Sequence, residues 1–171
     1  PAGLASRPIR IVLCDEVDRY PLSAGEEGDP IALASKRALT FWNRKIVLVS
    51  TPTEKGASRI EAAYEETDEK QTLEWRNVQW EADKPEEAAY YCEECGAAWT
   101  DAQRHKAVSL GEWRGSKEFK GVAGFHISAL YSPWVSIFDA VDEFLKAKKD
   151  PMRLKTWVNT FLGETFEEQG E

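Results

Sequence analysis

Two short apolar runs separated by one helical segment constrain this chain more than any other feature. The first is residues 9–14 of "RPIRIVLCDEVDRYP", apolar throughout except for Arg10; the second is residues 46–49 of "RKIVLVSTPT". Both are rich in β-branched residues and closed by polar ones, as buried strands of a parallel sheet are. Between them lies "GDPIALASKRALTFW". There Asp29 is placed to N-cap a helix, Pro30 fits its first position, and Ile31, Ala34, Ala38 and Phe41 share one face. Strand, helix and strand at this spacing predict an α/β fold with parallel neighbours and a right-handed crossover. The residues after each strand then meet at one carboxyl edge, where such folds place their chemistry.

Those edge residues are informative. The first run stops on two consecutive carboxylates, Asp15 and Glu16, and the second on Ser50, Thr51, Pro52 and Thr53. An acidic pair at the tip of an apolar strand is the Walker B arrangement. One carboxylate holds Mg²⁺, usually through water, and the other polarises the water that attacks a γ-phosphate. Hydroxyls ending the neighbouring strand can sense that phosphate or the Glu16 side chain and pass the change on. The same residues also fit a solvated acidic turn and an ordinary polar loop. No G-x-x-x-x-G-K-[ST] phosphate loop occurs in the sequence, and "GEEG" at residues 25–28 is acidic and would repel phosphate.

Composition narrows the classes. At 171 residues the chain is long enough for a proper core, and 42% hydrophobic with 30% charged residues is ordinary for a globular protein. No apolar run approaches the roughly 18 residues of a membrane span and no signal peptide is visible, which points to a soluble, intracellular chain. A formal charge of −8 argues against non-specific nucleic-acid binding by the whole surface, so a polyanion would have to be gripped locally. Three cysteines do not make a disulfide scaffold, and Cys14 sits within a strand run as a small hydrophobe.

Further along, Ser58 and Glu61 in "SRIEAAYEETDEK" form a capping-box pattern, with Ile60, Ala63 and Tyr64 on the buried side. Residues 71–124 change character, with many tryptophans and short alternating pieces, and predict a small β-rich insertion. Within it Cys92-x-x-Cys95-Gly96 has the turn geometry of a zinc knuckle. It supplies only half of a tetrahedral site; His105 and His126 lack knuckle spacing, and a redox-inert cysteine turn fits equally. The end is helical. Ser132 is placed to cap a helix striped by Trp134, Ile137, Phe138, Val141, Phe144 and Leu145. Asp150 and Pro151 open another, with Leu154, Trp157, Val158 and Phe161 on one face and Gly163 as its stop.

Taken together, "VLCDEVDRYP", "EGDPIALASKRALTFWNRKIVLVSTPT", "GASRIEAAYEETDEK", "GFHISALYSPW" and "FLKAKKDPMRLKTWVNTFLGE" resemble the phage terminase large subunit of the lambda A-protein type, nearly end to end. The resemblance implies an ATP-driven motor that packages double-stranded viral DNA into a procapsid, assembled as a homo-oligomeric ring at the portal. It further implies a small terminase subunit as partner, ATP with Mg²⁺, a nuclease domain that follows the motor domain, and the host cytoplasm as location. By the same resemblance Asp15 and Glu16 match the Walker B acid and catalytic carboxylate. Ser50, Thr51, Pro52 and Thr53 match the coupling motif, Cys92 and Cys95 match the second cysteine pair of a zinc-ribbon-like insertion, and Arg37 is a candidate for an arginine acting in trans.

The implied fold is a partial P-loop-NTPase-like parallel sheet with flanking helices and that zinc-ribbon-like insertion. Residues 1–70 form the distal ATPase core, 71–124 the insertion, and 125–171 the terminal helices of the ATPase domain, leading to a nuclease domain beyond. The family pattern is broken in two places. The phosphate loop is absent, so the chain alone is expected not to hydrolyse ATP and to expose a sheet edge. In "TDEKQTLEW", Lys70 also joins Gln71 where a first cysteine pair is expected. A helicase-like translocase shares the strand-end chemistry, and a non-enzymatic zinc-ribbon interaction module is the alternative from another class.

Overall fold

The computed structural model describes residues 8–25, 28–65, 73–114 and 118–167. The chain divides into two compact units, Pro1–Thr51 and Pro52–Glu171. In the first, strand β1 (Ile11–Cys14) runs parallel to β2 (Lys45–Leu48), in register from Ile11 opposite Lys45 to Cys14 opposite Leu48. Helix α1 (Pro30–Ala38) makes the crossover, with Pro30 at its first position and the Asp29 carboxylate accepting the Ile31 amide at 3.3 Å. The predicted strand–helix–strand unit is therefore present, with β2 starting and ending one residue early. Its core is small: Val12, Cys14, Val17 and Ala38 are buried, while Ile11, Leu13, Ile46, Val47 and Val49 are exposed. Alternation in β1 sends Val12 and Cys14 inward and leaves Ile11 and Leu13 on an open apolar face.

The second unit opens with helix α2 (Arg59–Glu65). The Ser58 hydroxyl accepts the Glu61 amide at 3.1 Å, but the Glu61 carboxylate turns to the Gly56 amide, so only half of the capping box forms. An antiparallel sheet follows: β3 (Val78–Glu81), β4 (Lys84–Tyr91) and β5 (Ala98–Trp99), in the order β3-β4-β5. The stretch predicted as β-rich also contains helix α3 (Asp101–Ser109), capped reciprocally by Thr100 and Gln103. Its buried residue is a charged one, Arg104, rather than an apolar stripe, which is why helical periodicity did not announce it.

Helix α4 (Ile137–Ala147) is capped by Ser136, whose hydroxyl accepts the Asp139 amide at 3.0 Å; the cap is not Ser132, which instead ends a short turn at Ala129–Tyr131. Trp134 consequently lies outside the helix and is 89% exposed, whereas Ile137 and Val141 are buried. Helix α5 (Pro151–Trp157) starts on Asp150, which accepts the amides of Met152 and Arg153, and widens into a π turn over Val158–Leu162. Gly163 stops it in the left-handed region at φ 68°, and a Cβ there would also meet the Ile127 carbonyl at 3.0 Å.

The core of this unit is aromatic. Trp75 meets Trp157 edge-on at 4.8 Å and Phe144 at 5.6 Å, and Phe161 stacks on Trp157 at 4.9 Å. Arg104 is 1% exposed, held by Asp101 and by the carbonyls of Leu130, Ser132 and Val135. Asp101 also accepts the Ile137 amide, so one ion pair fastens α3 to the start of α4. Among the described residues, no helix is long and apolar enough to cross a membrane.

Candidate functional site

The two strand ends of the first unit do meet. Beyond β1 the Asp15 carboxylate accepts the amide of Glu16 at 3.0 Å, and the backbone then turns sharply at Glu16, with φ 54° and ψ 45°. Glu16 is the only residue other than glycine with positive φ among those described, and such outliers collect at functional sites. A short 3₁₀ turn, Val17–Arg19, follows. It is sewn to the end of β2: the Val17 amide donates to the Val49 carbonyl at 3.2 Å, and the Asp18 amide to the Ser50 hydroxyl at 3.1 Å. Ser50 in turn donates to the Thr51 carbonyl at 3.1 Å. Val17, wholly buried, anchors this turn, so the acidic pair and Ser50 sit on a fixed base at the carboxyl edge.

The acidic side chains face solvent. Arg19 lies 3.9 Å from the Glu16 carboxylate, an exposed pair worth about 0–1 kcal/mol. Sequence reasoning did not single out Arg19; an arginine one helical turn beyond a carboxylate is the available signal. Next to the pair, burial pushes the Cys14 thiol above its ordinary value.

The other candidates lie elsewhere. The backbone of Arg37 accepts from the Ile9 amide at 3.2 Å, ahead of β1, and so stands at the amino edge of the sheet. Seven residues of extended chain, roughly 23 Å, separate Ile9 from Glu16. Pro52 and Thr53 belong to the second unit, where the Thr53 carbonyl accepts from Asn159 at 2.8 Å and from the Phe166 amide at 3.2 Å. Of the acidic "GEEG" stretch, residues 26–27 lie outside the described residues, as does the Lys70–Gln71 join.

Cys92 and Cys95 occupy the loop between β4 and β5. The Cys92 amide donates to the Ala97 carbonyl at 3.0 Å, the Gly96 amide returns to Cys92 at 2.8 Å, and Gly96 is left-handed at φ 69°. The knuckle-like turn is thus present, but the rest of a zinc site is not found. Among the described residues no group of three or more His, Cys, Asp or Glu is arranged to hold a metal. His105 Nε2 lies 2.9 Å from an Arg104 nitrogen, which can only donate, so its lone pair is already used. His126 Nε2 lies 2.9 Å from the Leu162 carbonyl, so it carries the proton and offers no lone pair there. Among the described residues a zinc ribbon is therefore not supported; residues 92–97 form a turn between β4 and β5.

Mg²⁺ is different, because it is normally held by one or two carboxylates together with the phosphates it accompanies. Asp15, at a strand end and facing solvent, fits that requirement; no protein cage is needed.

Comparison with known proteins decides the family. Residues 1–113 match the model for the phage terminase large subunit gpA, ATPase domain, and residues 122–171 match that for the terminase large subunit gpA, endonuclease domain. This chain belongs to the phage terminase large-subunit family. It is 31% identical to the large terminase subunit of Enterobacteria phage P21 over 198 residues, covering 95% of this chain and 31% of the relative. Against the large terminase subunit of Escherichia phage lambda the identity is 28% over 190 residues, covering 90% of this chain and 30% of the relative. The chain thus spans about a third of the length of these terminase relatives. Both alignments are longer than the 171 residues of the chain, so each relative carries residues that this chain lacks. The endonuclease match begins three residues before, and covers the whole of, the segment 125–171 that the sequence alone attributes to the ATPase domain. No solved structure matches.

Proposed function

We propose that this chain carries the Walker B and coupling elements of the ATP-driven motor of a terminase large subunit, which moves double-stranded viral DNA into a procapsid. The observation that carries the reading is the seam between the two strand ends. Asp15 and Glu16 leave β1 on a turn whose Asp18 amide is bonded to Ser50, the first residue of the coupling motif. Mg²⁺ bound with ATP supplies charge neutralisation of the γ-phosphate. In this reading Asp15 holds a water of that ion, and Glu16 orients the attacking water and accepts its proton. Ser50, fixed between the Asp18 amide and the Thr51 carbonyl, registers any shift of the acidic turn and hands it to Thr51, Pro52 and Thr53.

The rest of the machine is proposed on family grounds: a homo-oligomeric ring at the portal, the small terminase subunit as partner, and action in the host cytoplasm. Residues 1–70 are proposed as the distal ATPase core, 71–124 as an insertion, and 125–171 as terminal helices of the ATPase domain at its junction with the endonuclease domain. Arg37 is proposed to act on a neighbouring subunit, because Asp15 and Glu16 lie at the opposite sheet edge. ATP turnover needs a phosphate loop that these 171 residues do not contain, so the chain taken alone is proposed to be inactive.

Glu16→Gln in the longest form of the protein that turns over ATP tests the assignment. The substitution removes the proton acceptor and keeps the Asp15 ligand. Turnover and packaging should fall by about 10²–10⁴-fold, the scale of general-base catalysis, with nucleotide binding retained. Unchanged turnover would remove Glu16 from the mechanism.

A further inference from the structure

The segment that follows the coupling motif is held by the C-terminal end of the chain, all within the second unit. Glu54 and Phe166 form a parallel β-bridge. The Phe166 amide donates to the Thr53 carbonyl at 3.2 Å, and the Lys55 amide to the Phe166 carbonyl at 3.4 Å. The same Thr53 carbonyl accepts a second bond from Asn159 Nδ2 at 2.8 Å, whose other hydrogen goes to the Glu164 carbonyl at 2.8 Å. Both hydrogens of the amide are thus used, on one carbonyl from each segment. Asn159 is 8% exposed and lies on the π turn, so a polar group is buried for these two bonds. Two ion pairs flank the bridge, Lys155 with Glu54 at 2.5 Å and Lys55 with Glu167 at 2.8 Å.

The positions matter. Thr53 closes the coupling motif and falls within the ATPase-domain match, residues 1–113, while Asn159, Phe166 and Glu167 fall within the endonuclease-domain match, residues 122–171. We propose that Asn159 is a positioning residue that clamps the end of the coupling motif to the segment matched by the endonuclease domain, so that a shift of Thr53 moves that segment with it. The π turn supplies the geometry. The extra residue in the turn faces Asn159 toward Thr53 while Trp157 and Phe161 stay buried in the aromatic core. The clamp therefore has one end in rigid packing and the other on the motif. Helix packing alone requires neither the buried amide nor the doubled bond to Thr53. The inference rests on the motor reading of Asp15, Glu16 and Ser50.

Asn159→Leu, close to Asn in shape but without donors, tests it in the longest form of the protein that turns over ATP. Three quantities are read: the melting temperature, ATP turnover, and DNA translocated per ATP. ATP turnover should stay within about twofold, while DNA moved per ATP falls by about tenfold, the scale of a typical coupling between sites. If both activities fall in step, or DNA per ATP is unchanged in a folded variant, the clamp is only structural and the proposal is wrong.

If Asn159→Leu does not fold, the flanking exposed pair decides. Glu54→Lys and Lys155→Glu singly should each lower DNA per ATP, and the two together should restore it. Absence of that restoration overturns the proposal equally. Glu16→Gln in the same assay separates the layers: if it leaves turnover intact, the motor reading fails first. If it abolishes turnover while Asn159→Leu behaves as wild type, only the clamp fails.

Discussion

The two units solve the problem of a core in opposite ways. In Pro1–Thr51 the parallel pair buries Val12, Cys14 and Val17 on one side and leaves Ile11, Leu13, Ile46, Val47 and Val49 exposed. In Pro52–Glu171, strands and helices close around Trp75, Trp80, Phe144, Trp157 and Phe161, with ring centroids 4.8–5.9 Å apart. The first unit holds the acidic pair on a strained, solvent-facing turn; the second buries one charge among the described residues, Arg104, on several hydrogen bonds. The candidate site and the aromatic core thus lie in different parts of the chain. A sheet that buries one face only is a poor source of folding energy, since each exposed apolar side chain forgoes the roughly 1.5–3 kcal/mol that burial would contribute.

The largest test of this contrast is Trp157→Ala. Trp157 is 5% exposed and in ring contact with Trp75, Phe144 and Phe161, so truncation should cost about 3–5 kcal/mol and lower the unfolding midpoint of the second unit. Amide exchange locates the effect: protection should fall in β3, β4 and α4. Equal loss of protection in β1 and β2 would show that the strand pair borrows its stability from the aromatic core, and the contrast would collapse.

Leu13→Ser sharpens the other side. Leu13 is 74% exposed on the open face of β1, and a surface substitution of this kind should change stability by no more than about 0.5 kcal/mol. A loss of several kcal/mol in the longest form of the protein would mean that this face is covered there. Comparing the same substitution in both contexts measures what that cover contributes.

How much of this was legible follows from how each unit is built. The strand–helix–strand unit rests on local signals: β-branched runs, the Asp29-Pro30 start, and polar strand ends. Each lies within a few residues of what it governs, so β1, α1, β2 and the meeting of Asp15, Glu16 and Ser50 at one edge could be read directly. The second unit rests on long-range pairings. Asp101 and Arg104 look like a solvated i,i+3 pair on any helix; only the carbonyls of Leu130, Ser132 and Val135, some thirty positions on, make Arg104 a buried hub. The grip of Asn159 on Thr53 spans 106 positions and has no sequence signature at all. Ser132 and Ser136 both precede the apolar stripe, and the structure caps the helix with Ser136, whose hydroxyl accepts the Asp139 amide. The cysteine turn is ambiguous for a related reason: Gly96 makes the same left-handed turn for a hairpin as for a metal knuckle.

The smallest effect separates the two units by their thiols. Hydrogen bonds from the Cys95 and Glu94 amides, and then from the Cys95 side chain, hold the half-buried Cys92 thiol below its ordinary value of 9.0, while burial pushes Cys14 above the same value. For Cys92 the folded form favours the thiolate. Any stabilisation from it is therefore present above the unfolded value and vanishes as pH falls through the lower folded value. The bonds are local to one turn, and folding stability should hardly respond to Cys92→Ser. Reactivity should respond strongly, because the thiolate is the nucleophile. With iodoacetamide under native conditions, Cys92 should be modified in a pH-dependent step centred below 9.0, and Cys14 should stay protected until β1 opens. Added zinc discriminates further. A thiol pair without further ligands leaves the alkylation rate of Cys92 unchanged at stoichiometric metal, whereas strong protection would demonstrate ligands beyond the two cysteines and reinstate a metal-bound insertion.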